Sequence, residues 1–268
     1  MKNISSTLIR HSALDAESPA KMRLRGKSAM TVLLNILILA SGFFVLFLIC
    51  LRWYIGGHIP LSNSFETMQF LALCILFLAF FFQRKFFLLL PFGFIFSGLV
   101  LLVSVMGASN LQITPLQPVL STPLLGVHVS VIMIAYTLFG FITCNSIASF
   151  LYVFFSKIRK TGKNDNKIVQ LYALSRIFLY PAVILLALGI IVGAIWAKIS
   201  WGRYWGWDPK ETWALITLII YILPLFSKFL PFFKKPLFLH FYMLLAFLSV
   251  LMTYFGVNYL LGGLHSYV

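Results

Sequence analysis

Seven stretches of this chain are almost continuously apolar, at roughly residues 30–51, 67–83, 86–106, 127–155, 173–197, 212–230 and 237–261. None alternates with a period of two, and each reaches or approaches the ~20 residues that cross a hydrocarbon core as a helix. In lipid every backbone polar group must be satisfied internally, which leaves helices or closed barrels, and unbroken apolar runs exclude a barrel. The predicted architecture is therefore an all-α polytopic membrane protein of about seven transmembrane helices. No internal repeat and no insertion of soluble-domain size interrupts the pattern, so residues 30–268 read as one membrane domain. Residues 1–29 are polar and basic without an apolar core. They read as a cytoplasmic, partly disordered extension rather than a cleavable signal peptide.

Composition agrees: 61% of residues are hydrophobic and 10% charged, with a mean hydropathy of +0.97. The formal charge of +15 is not a nucleic-acid signal, because the basic residues flank apolar runs and form no aromatic-interleaved surface. They report topology instead. With the N-terminus inside, 17 of the 21 Lys and Arg fall on inner stretches, including the Gln83–Arg84–Lys85 turn. Arg52, Lys198, Arg203 and Lys210 fall outside, and the excess of positive charge predicts N-inside, C-outside. His58, His128, the tryptophan-rich loop at about 198–212 and His265 then share the outer face. The uncharged loop from Gly107 to Gly126, with Pro115, Pro118 and Pro123, is expected to lie against the membrane surface there.

The densest chemistry is WGRYWGWDPKETWALIT, Trp201 to Thr217, which holds four of the six tryptophans. An aromatic belt explains one or two tryptophans at an interface; four beside fixed charges suit a large planar ligand with a polar edge. Asp208 with Pro209 is a helix start, the carboxylate capping and proline occupying the first turn, with Glu211 favoured by the dipole. His128 and His265 lie on the same face and bracket this loop. Neutral imidazole suits iron in haem, so two axial imidazoles could hold a porphyrin between helices four and seven. His11 lies in the polar tail, and His240 is expected at the inner interface rather than as a ligand. Asn258, costly in an apolar segment unless hydrogen-bonded, is expected to shape the site. Arg52 reads equally well as a partner for a carboxylate or as a positive anchor. Cys50, Cys74 and Cys144 read as packing residues. Ser–His–Asp, zinc-protease, P-loop and dinucleotide motifs are lacking.

The loop resembles the tryptophan-rich "WWD" signature of the cytochrome c assembly family, closest to its CcsA/ResC branch, the membrane subunit of System II cytochrome c synthase. RWYIGGHIPLSNSFET, HVSVIMIAY and TYFGVNYLLGGLHSY extend the resemblance over nearly the whole membrane domain. It implies haem b as substrate, with His128 and His265 as axial ligands of the iron. The candidate haem-contacting residues are Trp201, Gly202, Tyr204, Trp205, Trp207, Asp208, Glu211, Trp213 and Asn258. The implied activity is a haem lyase that forms thioether bonds to the CXXCH cysteines of an apocytochrome c. Implied partners are a separate CcsB/ResB-like membrane protein and a thiol-reducing, membrane-associated thioredoxin-like protein, with no nucleic acid. The implied location is a bacterial plasma membrane with the active face outward, or a thylakoid. Relatives carry a further intramembrane histidine near the position of Phe226, where this chain has none. Two other readings stay open: a haem exporter or haem-presenting protein without synthase activity, and a structural membrane protein with an aromatic belt.

Overall fold

The computed structural model describes residues 19–83, 89–106, 113, 122–158 and 165–261, with side chains from residue 29 onward except at 165. The polar segment 1–18, Arg84 and Lys85, most of the uncharged 107–126 loop, and His265 lie outside the described residues. The described residues are helical, with no strand among them. In chain order the helices are α1 (Pro19–Gly56), α2 (Ser64–Phe82), α3 (Leu89–Met106), α4 (Pro123–Ile158), α5 (Asp165–Trp201), α6 (Pro209–Ile222) and α7 (Pro236–Leu251). Two 3₁₀ turns, Leu223–Phe226 and Pro231–Lys234, join α6 to α7, and a π-helical segment, Met252–Leu261, continues α7. Seven helices are long and apolar enough to cross a membrane, and the protein is an integral membrane protein.

The ends follow from local chemistry. Asn63 caps α2, its side chain accepting from the Glu66 amide at 2.9 Å. At α6 the expected start is realised as a capping box: the Asp208 carboxylate accepts from the Lys210 amide at 2.9 Å, and Glu211 reaches back to the Asp208 amide at 3.3 Å. Gly57 (φ 68°) and Gly202 (φ 79°) end α1 and α5 in the left-handed region that glycine enters without strain.

Packing is closest where small residues let backbones approach. A Cβ on Gly93 of α3 would run into Ala79 of α2, and one on Gly189 of α5 into Ile132 of α4. The antiparallel α4–α5 pair makes the most extensive contact in the bundle. Aromatic rings fill the centre, with Phe139 stacked on Tyr221 at 3.8 Å and Phe82 edge-on to Phe178 at 5.4 Å. Three hydroxyls buried on α4 return to their own helix: Thr137, Thr143 and Ser146 donate to the carbonyls of Met133, Phe139 and Ile142.

Arg176, in the first third of α5, donates to the Pro224 carbonyl at 2.6 Å and ties down the turn where α6 ends. Arg52 pairs with a carboxylate, the first of the two readings its position allowed. Its Nε and Nη2 donate to Glu66 Oε1 at 3.2 and 3.1 Å, and Ser62 donates to Oε2 through its amide and hydroxyl. This pair, with Ser62, ties the 57–63 loop to the first turn of α2.

Candidate functional site

The cavity lies on the face that gathers the ends of α1 and α5, the starts of α2, α4 and α6, and the π segment. About 1160 Å³ of atom-free space lies along its walls, open solvent included. Leu61 to Ser64 and Thr67 form one wall, and Leu125, His128, Val129, Ile132, Met133 and Tyr136 of α4 the next. Ile190, Gly193, Ala194 and Trp196 of α5 follow. Tyr204, Trp205, Lys210, Glu211 and Ala214 close one side, and Thr253, Tyr254 and Asn258 the other.

His128 sits half-buried in the first turns of α4, and its Nδ1 lies 2.8 Å from the Gly189 carbonyl. A carbonyl only accepts, so Nδ1 carries the proton and the lone pair is on Nε2. This is the second contact that fixes ring orientation and basicity in metal-ligating histidines. Gly193, one turn beyond Gly189, makes room for the ring: a Cβ there would lie 2.5 Å from Cε1 and 2.7 Å from Nδ1.

The tryptophan loop divides into lining and support. Tyr204, Trp205 and Glu211 line the cavity, as does Asn258 from the π segment. Trp201, Gly202, Trp207, Asp208 and Trp213 stand outside the lining. Asp208 is a helix cap and Gly202 a helix stop, whose carbonyl accepts from Lys198 Nζ at 2.8 Å. Trp201 packs edge-on to Trp196, a wall residue, with ring centroids 4.8 Å apart. Trp213 offers its carbonyl to Thr253 at 3.3 Å. Trp207 is 72% exposed and holds φ 56°, a left-handed conformation that costs a bulky residue about 1–3 kcal/mol. Two contacts hold it there: the Glu211 carboxylate, which accepts from the amides of Gly206 (2.7 Å) and Asp208, and the edge-on Trp205 ring at 5.8 Å.

Several wall residues were not among the candidate site residues: Thr67, Tyr136, Trp196, Gly193 and Tyr254. The Thr67 and Tyr254 hydroxyls meet at 2.6 Å and join α2 to the π segment. The Gly189-x-x-x-Gly193 spacing, which marks close helix contact, was the signal that could have located the His128 cradle. His240 is corrected by the structure. It is fully buried, not interfacial, because α7 starts at Pro236 with its first turns already against α4. Ser146 gives its proton to the Ile142 carbonyl, so His240 Nδ1–H donates to Ser146 Oγ at 3.1 Å. His240 Nε2 has no hydrogen-bonding partner among the described residues. The position of Phe226 ends a 3₁₀ turn and is half exposed.

A cavity walled in part by aromatics and fitted with an oriented imidazole at one end of a helical bundle defines a polytopic membrane protein with a candidate binding site at that end. The chain belongs to the cytochrome c assembly protein family, whose profile matches residues 61–265, and within it to the CcsA proteins. This membership places it in cytochrome c biogenesis. It is 38% identical over 218 residues to NrfI of Wolinella succinogenes, a match that takes in 81% of this chain and 24% of NrfI. It is 35% identical over 238 residues to CcsA of Chlamydomonas reinhardtii, covering 85% of this chain and 66% of that protein. With CcsA of Mesostigma viride it shares 34% identity over 260 residues, covering 86% and 84%. The chain thus spans about a quarter of NrfI and about two thirds of the Chlamydomonas protein.

Proposed function

We propose that this chain binds haem b in the cavity and presents it on the outer membrane face for covalent attachment to an apocytochrome c. His128 Nε2 is one axial ligand and His265 the other. The observation that carries this reading is the His128–Gly189 bond at the wall of a cavity that Tyr136, Trp196, Tyr204 and Trp205 also line. Trp205 and Tyr204 offer the faces on which the macrocycle rests. Trp201, Gly202, Trp207, Asp208, Glu211 and Trp213 position that loop, and Asn258 closes the far wall. The distribution of Lys and Arg supports an outward-facing cavity.

In the proposed reaction each cysteine of a CXXCH motif adds its S–H across a vinyl double bond. The sulfur bonds to the carbon next to the ring and the proton goes to the terminal carbon, with no net oxidation or reduction. The protein contributes placement, worth up to roughly 7–11 kcal/mol in well-aligned cases. A CcsB/ResB-like membrane partner and a thioredoxin-like reductant that keeps the cysteines as thiols complete the system.

The test is co-expression with a CcsB-like partner and a CXXCH apocytochrome in a host lacking its own assembly system, scored for covalently bound haem. Covalent haem with the wild-type chain and its loss in His128→Ala is the expected result. Haem bound to this chain without any thioether product would favour a haem-presenting protein instead, and no bound haem at all would overturn the reading.

A further inference from the structure

We infer that the cavity is loaded from the side, by haem dissolved in the bilayer that passes through a groove between α2, α3 and the π segment, with Tyr254 as the gate; this rests on the haem reading above. The groove is a second pocket beside the cavity. Its lining takes in Met68 of α2, Val103 and Met106 of α3, and Phe255 and Tyr259 of the π segment. Ser64 and Tyr254 line both this groove and the cavity, so these two residues stand between the two spaces. Val103, Met106 and Tyr259 are exposed on the outside of the bundle. They belong to helices long and apolar enough to cross a membrane, where the surroundings are lipid.

The depth of the groove suits the ligand. Ser64 starts α2 and Met106 ends α3, so the groove lies at the end of these spans, near the headgroup boundary. Haem in a bilayer rests at that depth, its macrocycle among the acyl chains and its propionates toward the headgroups. Continuity with a cavity walled by Tyr136, Trp196, Tyr204 and Trp205 selects a planar ring in transit as the occupant, rather than a resident acyl chain.

The wall between the two spaces is lightly fastened. Thr67 Oγ1 has one proton and lies 3.1 Å from the carbonyls of Asn63 and Ser64, to which it donates. Tyr254 therefore gives its own proton to Thr67 Oγ1 at 2.6 Å, and its contact with the Ser64 carbonyl is longer, at 3.4 Å. The neighbouring Thr253 hydroxyl meets that of Thr217 on α6 at 3.0 Å. Opening the Tyr254 bond thus frees the ring on the α2 side while the segment stays tied to α6. The gate also sits in a π-helical stretch, a rare conformation that recurs at functional sites.

The experiment reconstitutes the full-length chain in phosphatidylcholine vesicles, adds ferric haem, and follows the Soret band in time and at equilibrium. Val103→Trp fills the groove without adding to the cavity wall. It is expected to slow uptake and release together by about tenfold, the scale of an overpacked site, with affinity and axial-ligand spectrum unchanged. Tyr254→Phe removes the latch and is expected to speed uptake and release together by about two- to tenfold, the factor set by one neutral hydrogen bond. Wild-type uptake in a Val103→Trp chain that still binds haem overturns this inference and leaves the haem reading standing. If Val103→Trp does not bind haem, Tyr254→Phe decides: faster uptake supports the gate, and unchanged uptake, with or without faster release, overturns it. Failure of the wild type to bind haem overturns the haem reading and this inference with it.

Discussion

Gly193→Ala is expected to lower haem affinity about 10- to 100-fold, the range seen when the contacts that orient a metal-ligating histidine are lost. The new methyl group would lie 2.5 Å from His128 Cε1, well inside contact distance. The ring cannot swing aside without breaking its 2.8 Å bond to the Gly189 carbonyl, so either Nε2 leaves its direction or α4 and α5 part. Overpacking of this kind also costs about 1–3 kcal/mol of stability. Gly189→Ala separates the two effects. It is as crowded as Gly193, but against Ile132 rather than the imidazole. Its melting temperature is expected to fall comparably while haem affinity changes far less. Haem titration alongside thermal melts of the two variants checks this; equal loss of affinity in both would assign the effect to helix packing.

Arg52→Met is expected to destabilise the protein by about 3 kcal/mol, near the lower end for removing one partner of a buried ion pair. Glu66 is 2% exposed and Arg52 15%, so the substitution strands a carboxylate that has little access to water. Ser62 still donates two hydrogen bonds to it, but neither supplies charge. Replacing Glu66 by Gln in the same chain removes the stranded charge, so Arg52→Met/Glu66→Gln should recover much of the loss. The pair also holds Leu61 to Ser64 against the cavity, so haem affinity should fall with Arg52→Met as well. Thermal melts in detergent of the single and double variants check the sign: a double variant no more stable than the single would mean that the carboxylate is not the source of the loss.

Most of the fold was legible because lipid imposes a coarse rule. Each apolar run became a helix, with ends a few residues beyond the run wherever a local cap extended it, as at Asn63 and Asp208. The 3₁₀ turn at Leu223–Phe226 is an exception: Pro224 and Pro231 break the run predicted as continuous to residue 230. The site was legible in part. His128, Tyr204, Trp205, Glu211 and Asn258 line one cavity, since clustering of unusual residues on one face marks a place. Which tryptophan lines it and which braces it depends on backbone direction after Gly202 and at Trp207, and composition carries no such direction. Lys210 meeting Asn258, and Glu66 meeting Arg52, are contacts between segments distant in sequence. His240 was misread because its depth is set by where the turns at Pro231 and Pro236 let α7 begin, which hydropathy does not resolve.

Ligation of haem iron by His128 is tested most directly by the visible spectrum of the haem-loaded, purified protein, reduced and oxidised, in wild type and His128→Gly. The wild type is predicted to give the low-spin spectrum of two imidazole ligands. His128→Gly should lose it, and added imidazole, entering the space left beside Gly189 and Gly193, should restore it. A wild-type spectrum from His128→Gly without imidazole would contradict His128 as a ligand.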